Sequence, residues 1–153
     1  MQTSAVTSNP GHRATAGEIR SLADDYRLAA AAVANCGRRD VPSSRSPYRM
    51  LALHAVELYL NALLLHRCRS PEAIRGLQHD LASRMEMAVA AGLVLRVRTV
   101  AHLRAVAARR EYLTSRYAPD RAGEASEPTR MAATLEEVAS KVSSIVAAQP
   151  PPG

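Results

Sequence analysis

The stretch Ser46–Arg69, SPYRMLALHAVELYLNALLLHRCR, constrains this chain more than any other. Ser46 suits a helix N-cap, and Pro47 suits the first turn, where a missing N–H costs nothing. Behind them run roughly six turns of Met, Leu, Ala, Val and Tyr that are apolar on nearly every side. A helix of that kind cannot lie on a surface, so the stretch predicts a central helix enclosed by others. His54, Glu57 and Asn61 interrupt it at i, i+3 and i+7. At about 100° per residue they share one narrow stripe, and Cys68 extends it. A polar seam in a buried helix has two readings. Either it hydrogen-bonds to neighbouring helices or across a subunit interface, or it is the floor of a site.

The flanking sequence supplies helices to enclose it. Thr15 and Glu18 have capping-box spacing, and Ile19, Leu22, Tyr26, Ala29 and Val33 then recur every three or four residues, as far as a stop near Cys36 and Gly37. A turn-rich linker, GRRDVPSSR, leads to the central helix. Ser70 and Pro71 predict a short helical turn to Arg75, broken at Gly76. Leu77, Leu81, Met85 and Ala88 mark the next helix, with Gly92 as its C′ glycine. A further helix is expected from about Val94 to Leu113, with Val97, Val100, Leu103 and Ala107 inward. After a loop at 118–128, Met131, Leu135, Val138, Val142 and Ile145 define the last helix. The chain has neither Trp nor Phe, so Leu, Val, Ala, Met and Tyr must fill the core. Ala- and Leu-rich periodic segments without strand-like alternation predict an all-α class. One domain is expected over residues 15–148, between a disordered N-terminal tail at 1–14 and a disordered Pro-rich tail at 149–153.

Charge and cysteines bound the partners. The formal net charge is +6, and every basic residue except Lys141 is arginine. That balance permits nucleic-acid or anion binding and is equally the mark of an Arg-rich composition. Two cysteines, Cys36 and Cys68, fit a reduced compartment better than a disulfide scaffold. No apolar run approaches the roughly 20 residues of a membrane span, and no signal peptide is visible. These features predict a soluble, cytoplasmic protein with no membrane partner.

Motifs of the common enzyme classes are absent: there is no GxGxxG, Walker loop, CxxC or GxSxG. His54 and Glu57 have a metal-ligand spacing, but a di-iron bundle needs carboxylates from four helices and two Glu-x-x-His motifs. Neither a metal nor any other cofactor is expected. If the helix at 94–113 continues, Arg98, His102, Arg109 and Arg116 fall within about 40° of one another. Such a row either meets phosphate oxygens through planar guanidinium forks or is an ordinary solvated face. Tyr112 and Tyr117 stand only at its end, so no aromatic platform runs along it.

Three segments, in order, resemble the HEPN domain, a helical domain of bacteria, archaea and higher eukaryotes. HAVELYLNALL at 54–64 is similar to that family's central helix, with Asn61 where Lys is common. His79-Asp80-Leu81 leading to Gly92-Leu93 looks like the start and glycine exit of its third helix. EYLTSRYAPD at 111–120 is close to the Y-x-x-S/T-R-Y-P-D run of one branch, with Ala118 inserted. The likeness covers about residues 15–148.

The resemblance implies an up-down antiparallel bundle of four to five helices, commonly dimeric. Its roles in the family include RNA cleavage, nucleotide or RNA binding, and partnership with a small nucleotidyltransferase. It implies a cleft lined by His54, Glu57, Asn61, Arg110, Arg116 and Tyr117, with Arg98 and Arg109 facing phosphate outside. Ribonuclease members carry Arg-x4–6-His, often with a polar residue after the Arg. Here Arg96-x5-His102 has Val97 in that place, and six residues turn the two side chains about 120° apart on a straight helix. The expectation is therefore a non-catalytic HEPN-like domain that dimerises and binds nucleotide, RNA or a nucleotidyltransferase. A metal-independent ribonuclease of a toxin–antitoxin-like pair, using Arg96 and His102, and a purely structural interaction module are the alternatives.

Overall fold

Helix α2, Ser46–His66, is the axis about which the other elements are laid. The structure is a computed structural model that describes residues 9–147, and these are all-helical, with no strand. Of the two expected tails, residues 1–8 and all of 149–153 lie outside the described residues. Tyr59, Leu60, Leu63 and Leu64 in α2 are wholly inaccessible, as a helix apolar on nearly every side requires.

Helix α1, Ala16–Val33, runs antiparallel along α2. Ile19 lies beside Asn61 and Leu65 at one end, and Ala34 lies near Tyr48 at the other. The expected capping box is present: Thr15 Oγ1 accepts from Glu18 N–H at 3.1 Å, and Glu18 Oε2 accepts from Thr15 N–H at 2.8 Å. The Tyr59 hydroxyl donates to Asp24 of α1, and burial together with that carboxylate pushes the phenol's pKa up.

Four shorter helices close the opposite side: α3 (Pro71–Gly76), α4 (Leu81–Ala90), α5 (Val97–Ala108) and α6 (Glu111–Tyr117). The last helix, α7 (Pro128–Ala147), packs on both α2 and α1, with Met131, Leu135, Val138 and Val142 inward. Arg27 of α1 grips Glu136 of α7 with two nitrogens.

Ser70 Oγ accepts from Ala73 N–H at 3.1 Å, and Asp80 Oδ1 accepts from Ser83 N–H at 3.0 Å. Helix α4 ends as expected on Gly92, with φ of +108°. Leu93 N–H reaches Ala88 O and Gly92 N–H reaches Val89 O, both at 3.0 Å, the paired bonds of a Schellman cap.

Several local expectations are corrected. Ser46 makes no cap bond, because a 3-10 turn at Pro42–Arg45 runs straight into α2 and leaves no free end there. Helix α1 stops at Val33, ahead of Cys36, and the left-handed residue of the linker is Asp40, not Gly37. Gly37 serves close approach instead: Arg45 Cγ lies 2.6 Å from where a Cβ would stand. The 118–128 loop contains a second 3-10 turn, Pro119–Glu124.

The largest correction concerns 94–113, which is two helices. The chain breaks at Arg109 and Arg110, and Arg110 is left-handed, with φ of +52°. The break turns Glu111 inward, where it is 1 % exposed and accepts bonds from the Ser126 N–H and hydroxyl. No Gly or Pro marks this point. The buried face of α5 is also rotated from the expected one: Thr99, His102, Leu103 and Val106 are inside, while Val97 is 86 % exposed.

The central position of α2 makes a direct prediction. Leu63→Ala should cost about 2–5 kcal/mol, the range for emptying a fully buried leucine site. Leu60→Asp should leave almost no folded protein, because the carboxylate would have no partner. Wild-type melting of either variant by circular dichroism would refute the central placement.

Candidate functional site

The polar seam of α2 is met by one side chain from α4. Arg84 is 2 % exposed, and its Nε donates to Asn61 Oδ1 at 2.7 Å. Its Nη2 donates to Gln78 O at 2.7 Å and Ile74 O at 3.3 Å, and lies 3.8 Å from Glu57 Oε1. Its Nη1 is buried without a partner. Burial lowers the guanidinium's pKa, and the carboxylates of Glu57 and Asp80 work against that shift. On its other oxygen Glu57 faces His79 Nδ1 at 3.3 Å. Two members of the seam, Glu57 and Asn61, are thus joined to the α3–α4 turn through one buried cation.

The third member, His54, lies one turn back. With Glu57, His79, Tyr112, Ser115 and Arg116 it encloses a crevice of only about 10 Å³, room for a single water. The Tyr26 and His54 rings meet edge to face with centroids 4.5 Å apart, and His54 Nδ1 is buried without a partner. Burial lowers the His54 pKa; Arg116 and His79 push the same way, against Glu57. The His79 and Tyr112 rings stand 5.1 Å apart at a 32° tilt.

Open grooves lie on either side of this pair. One, of about 520 Å³, has apolar walls of Ile19, Leu65 and Ile74, a polar floor of Glu57, Asn61 and Arg84, and a lip at Pro10–His12. The other, of about 470 Å³, is bordered by Gln78, His79, Arg104, Arg110 and Tyr112. Gln78 and Arg110 both hold positive φ, +50° and +52°, a conformation that non-glycine residues seldom adopt and that clusters where function demands it.

The expected residues therefore divide. His54, Glu57 and Arg116 share one crevice, Asn61 stands in the adjoining groove, and Arg110 borders the opposite one. Tyr117 is 75 % exposed and lines none of these spaces. Cys68 falls beyond the end of α2 with φ of +61°, so it does not extend the seam.

The arginine row does not form. Arg98 projects into solvent from α5, Arg109 caps that helix and donates to Glu124 O at 2.9 Å, and Arg116 belongs to α6 beside His54. His102, expected in the row, points into the core, where its Nδ1 and Thr134 Oγ1 share a bond of 2.7 Å. The Arg96 side chain is exposed beside Glu137, with Nε 3.7 Å from the carboxylate. Arg96 and His102 thus approach α7 one turn apart, one in solvent and one buried.

Arg84 escaped the sequence reading, although it carried a signal: it sits beside Leu81, Met85 and Ala88, inside the apolar face of its helix. Among the described residues no group of three or more His, Cys, Asp and Glu could hold a metal ion, and no helix is long and apolar enough to cross a membrane. Cys36 and Cys68 are exposed and unpaired by disulfide. Comparison with protein-family models, curated proteins and solved structures finds no match to this chain.

His102 yields a prediction with a definite sign. Burial, aided by Arg130 and Arg109, lowers its pKa from 6.5 to about 4. Between those values the unfolded chain binds the proton and the folded one does not, so stability falls as pH drops from about 6.5 towards 4. The full loss is on the order of 3 kcal/mol. Urea midpoints measured from pH 7 to pH 4 should show it, and His102→Leu should flatten the dependence. An equally steep curve in that variant would mean that other groups cause it.

Proposed function

We propose that the chain is a non-catalytic, HEPN-like helical domain that dimerises and binds nucleotide or RNA along the α2 seam. The observation that carries this reading is the convergence of Glu57, Asn61, His79 and Arg84 on one helical stripe beside a groove of about 520 Å³, a size suited to a nucleotide. Arg116 stands beside His54, His79 and Tyr112, and Arg110 borders the opposite groove, where guanidinium forks suit phosphate oxygens and two rings offer stacking faces.

Binding is favoured over ribonuclease chemistry by the state of His102. A base bonded to Thr134 inside the core cannot reach a substrate hydroxyl, so the Arg96–His102 pair contributes nothing to the reading. A nucleotidyltransferase-type partner belongs to the same proposal as a further occupant of this face.

Two measurements test it. Arg110→Ala and Arg116→Ala should each weaken binding of a short single-stranded RNA. Each should also reduce the salt slope by up to about one unit for every phosphate that is no longer neutralised. Arg98→Ala on α5 should change neither. No RNA or nucleotide affinity in the wild-type chain would overturn the binding reading. For assembly, the proposal is a two-fold contact between copies of the chain. Light scattering should report twice the 16.5 kDa chain mass. A monomer at high concentration would overturn the dimer.

A further inference from the structure

We infer that the groove between α1, α2 and α3 reads the edge of a guanine base, with Glu57 accepting from its N1–H and N2 amine and the Asn61 amide donating to its O6. This rests on the nucleotide-binding reading and specifies the ligand of that same groove.

Some polar atoms of the seam are already engaged within the protein. A guanidinium only donates, so the 2.7 Å contact from Arg84 Nε fixes the Asn61 oxygen towards Arg84. The amide NH2 is then what Asn61 has left for a ligand, and it can only donate. Glu57 presents the opposite character. Its carboxylate is a pure acceptor with about four lone-pair directions, and Arg84 at 3.8 Å and His79 at 3.3 Å occupy only part of that capacity. The two residues are four apart on one helix, which sets their Cβ atoms roughly 6 Å from each other, comparable to the length of a base edge. The groove floor therefore carries an acceptor and a donor in fixed order.

That order discriminates among bases. A carboxylate facing adenine or cytosine gains one amine but meets the lone pair of the neighbouring ring nitrogen. Facing uracil, it finds one N–H between two carbonyls. Guanine alone offers two adjacent donors to the carboxylate, followed by a carbonyl for the amide. The buried Arg84 guanidinium beneath Asn61, with Nη1 unpaired, places positive charge on the carbonyl side. Ile19, Leu65 and Ile74 give the flat ring its apolar walls, and Arg75 and His12 also line the groove.

The test uses the full chain and five ribonucleoside 5′-monophosphates at one salt concentration, by isothermal titration calorimetry. GMP should bind about tenfold or more tightly than AMP, CMP or UMP, the usual worth of one well-made bidentate base contact. IMP, which lacks the N2 amine, should fall between. Glu57→Gln should erase the preference for GMP over IMP, and Asn61→Asp, which sets an oxygen against O6, should weaken GMP more than AMP. Melting curves accompany both variants; if either fails to fold, the wild-type GMP-to-IMP ratio decides alone. Equal affinity for all five nucleotides, or a GMP-to-IMP ratio of one, overturns the guanine inference while the nucleotide reading stands. Failure of every monophosphate to bind also overturns it, and single-stranded RNA binding, measured alongside, then decides the broader reading.

Discussion

A cation sealed inside a helical bundle is the constraint on which this structure turns. Arg84 is nearly inaccessible, and removing a guanidinium from water is tolerable only when its donors are met. Asn61 and Glu57 from α2, and the carbonyls of Ile74 and Gln78, meet all but Nη1. The polar seam of the central helix is thus an anchor for another helix as well as a lining. Such buried pairs add little net stability over apolar packing, but breaking one leaves a stranded charge. Their effect here is to fix how α4 sits against α2 and how the turn between α3 and α4 is drawn over the groove.

The other end of the bundle is organised by the same physics with the sign reversed. Glu111 is buried, and Ser126 satisfies it through its N–H and its hydroxyl. Arg49 on α2 lies near enough for Glu111 to offset part of the burial that lowers the arginine's pKa, and its Nε donates to Ser126 O at 3.2 Å. Bringing Glu111 inward requires the chain to leave the line of α5, and left-handed Arg110 makes that turn. The break is what carries Tyr112 and Arg116 round to His54 and His79.

These buried charges explain what the sequence disclosed and what it withheld. The class and the central helix were legible because α2 is apolar on nearly every side, and the caps at Thr15, Ser70 and Gly92 follow from local bonds that neighbours along the chain can satisfy. The seam His54–Glu57–Asn61 was legible as a period. Its partner was not, because an arginine in an amphipathic helix is ordinarily read as surface. The split of 94–113 was hidden for the same reason: its cause is the bond from Glu111 to Ser126, 15 residues on, while the local pattern through Arg109 and Arg110 continues a helix. The inward turn of His102 likewise follows from Thr134 on a distant helix, since α5 alone, with Val97 and Val100 on one side, favours a different face.

Arg84 also ties the α2 seam to the turn between α3 and α4. It donates to Asn61, to Ile74 O near the end of α3 and to Gln78 O of the α3–α4 turn, so the same side chain that meets the seam also holds that turn. The turn contains left-handed Gln78 and delivers His79 to Glu57 on one face and to Tyr112 on the other. Both grooves are bordered by Gln78 and His79. One strained turn is thus bonded from both sides, through the Arg84 and His79 contacts.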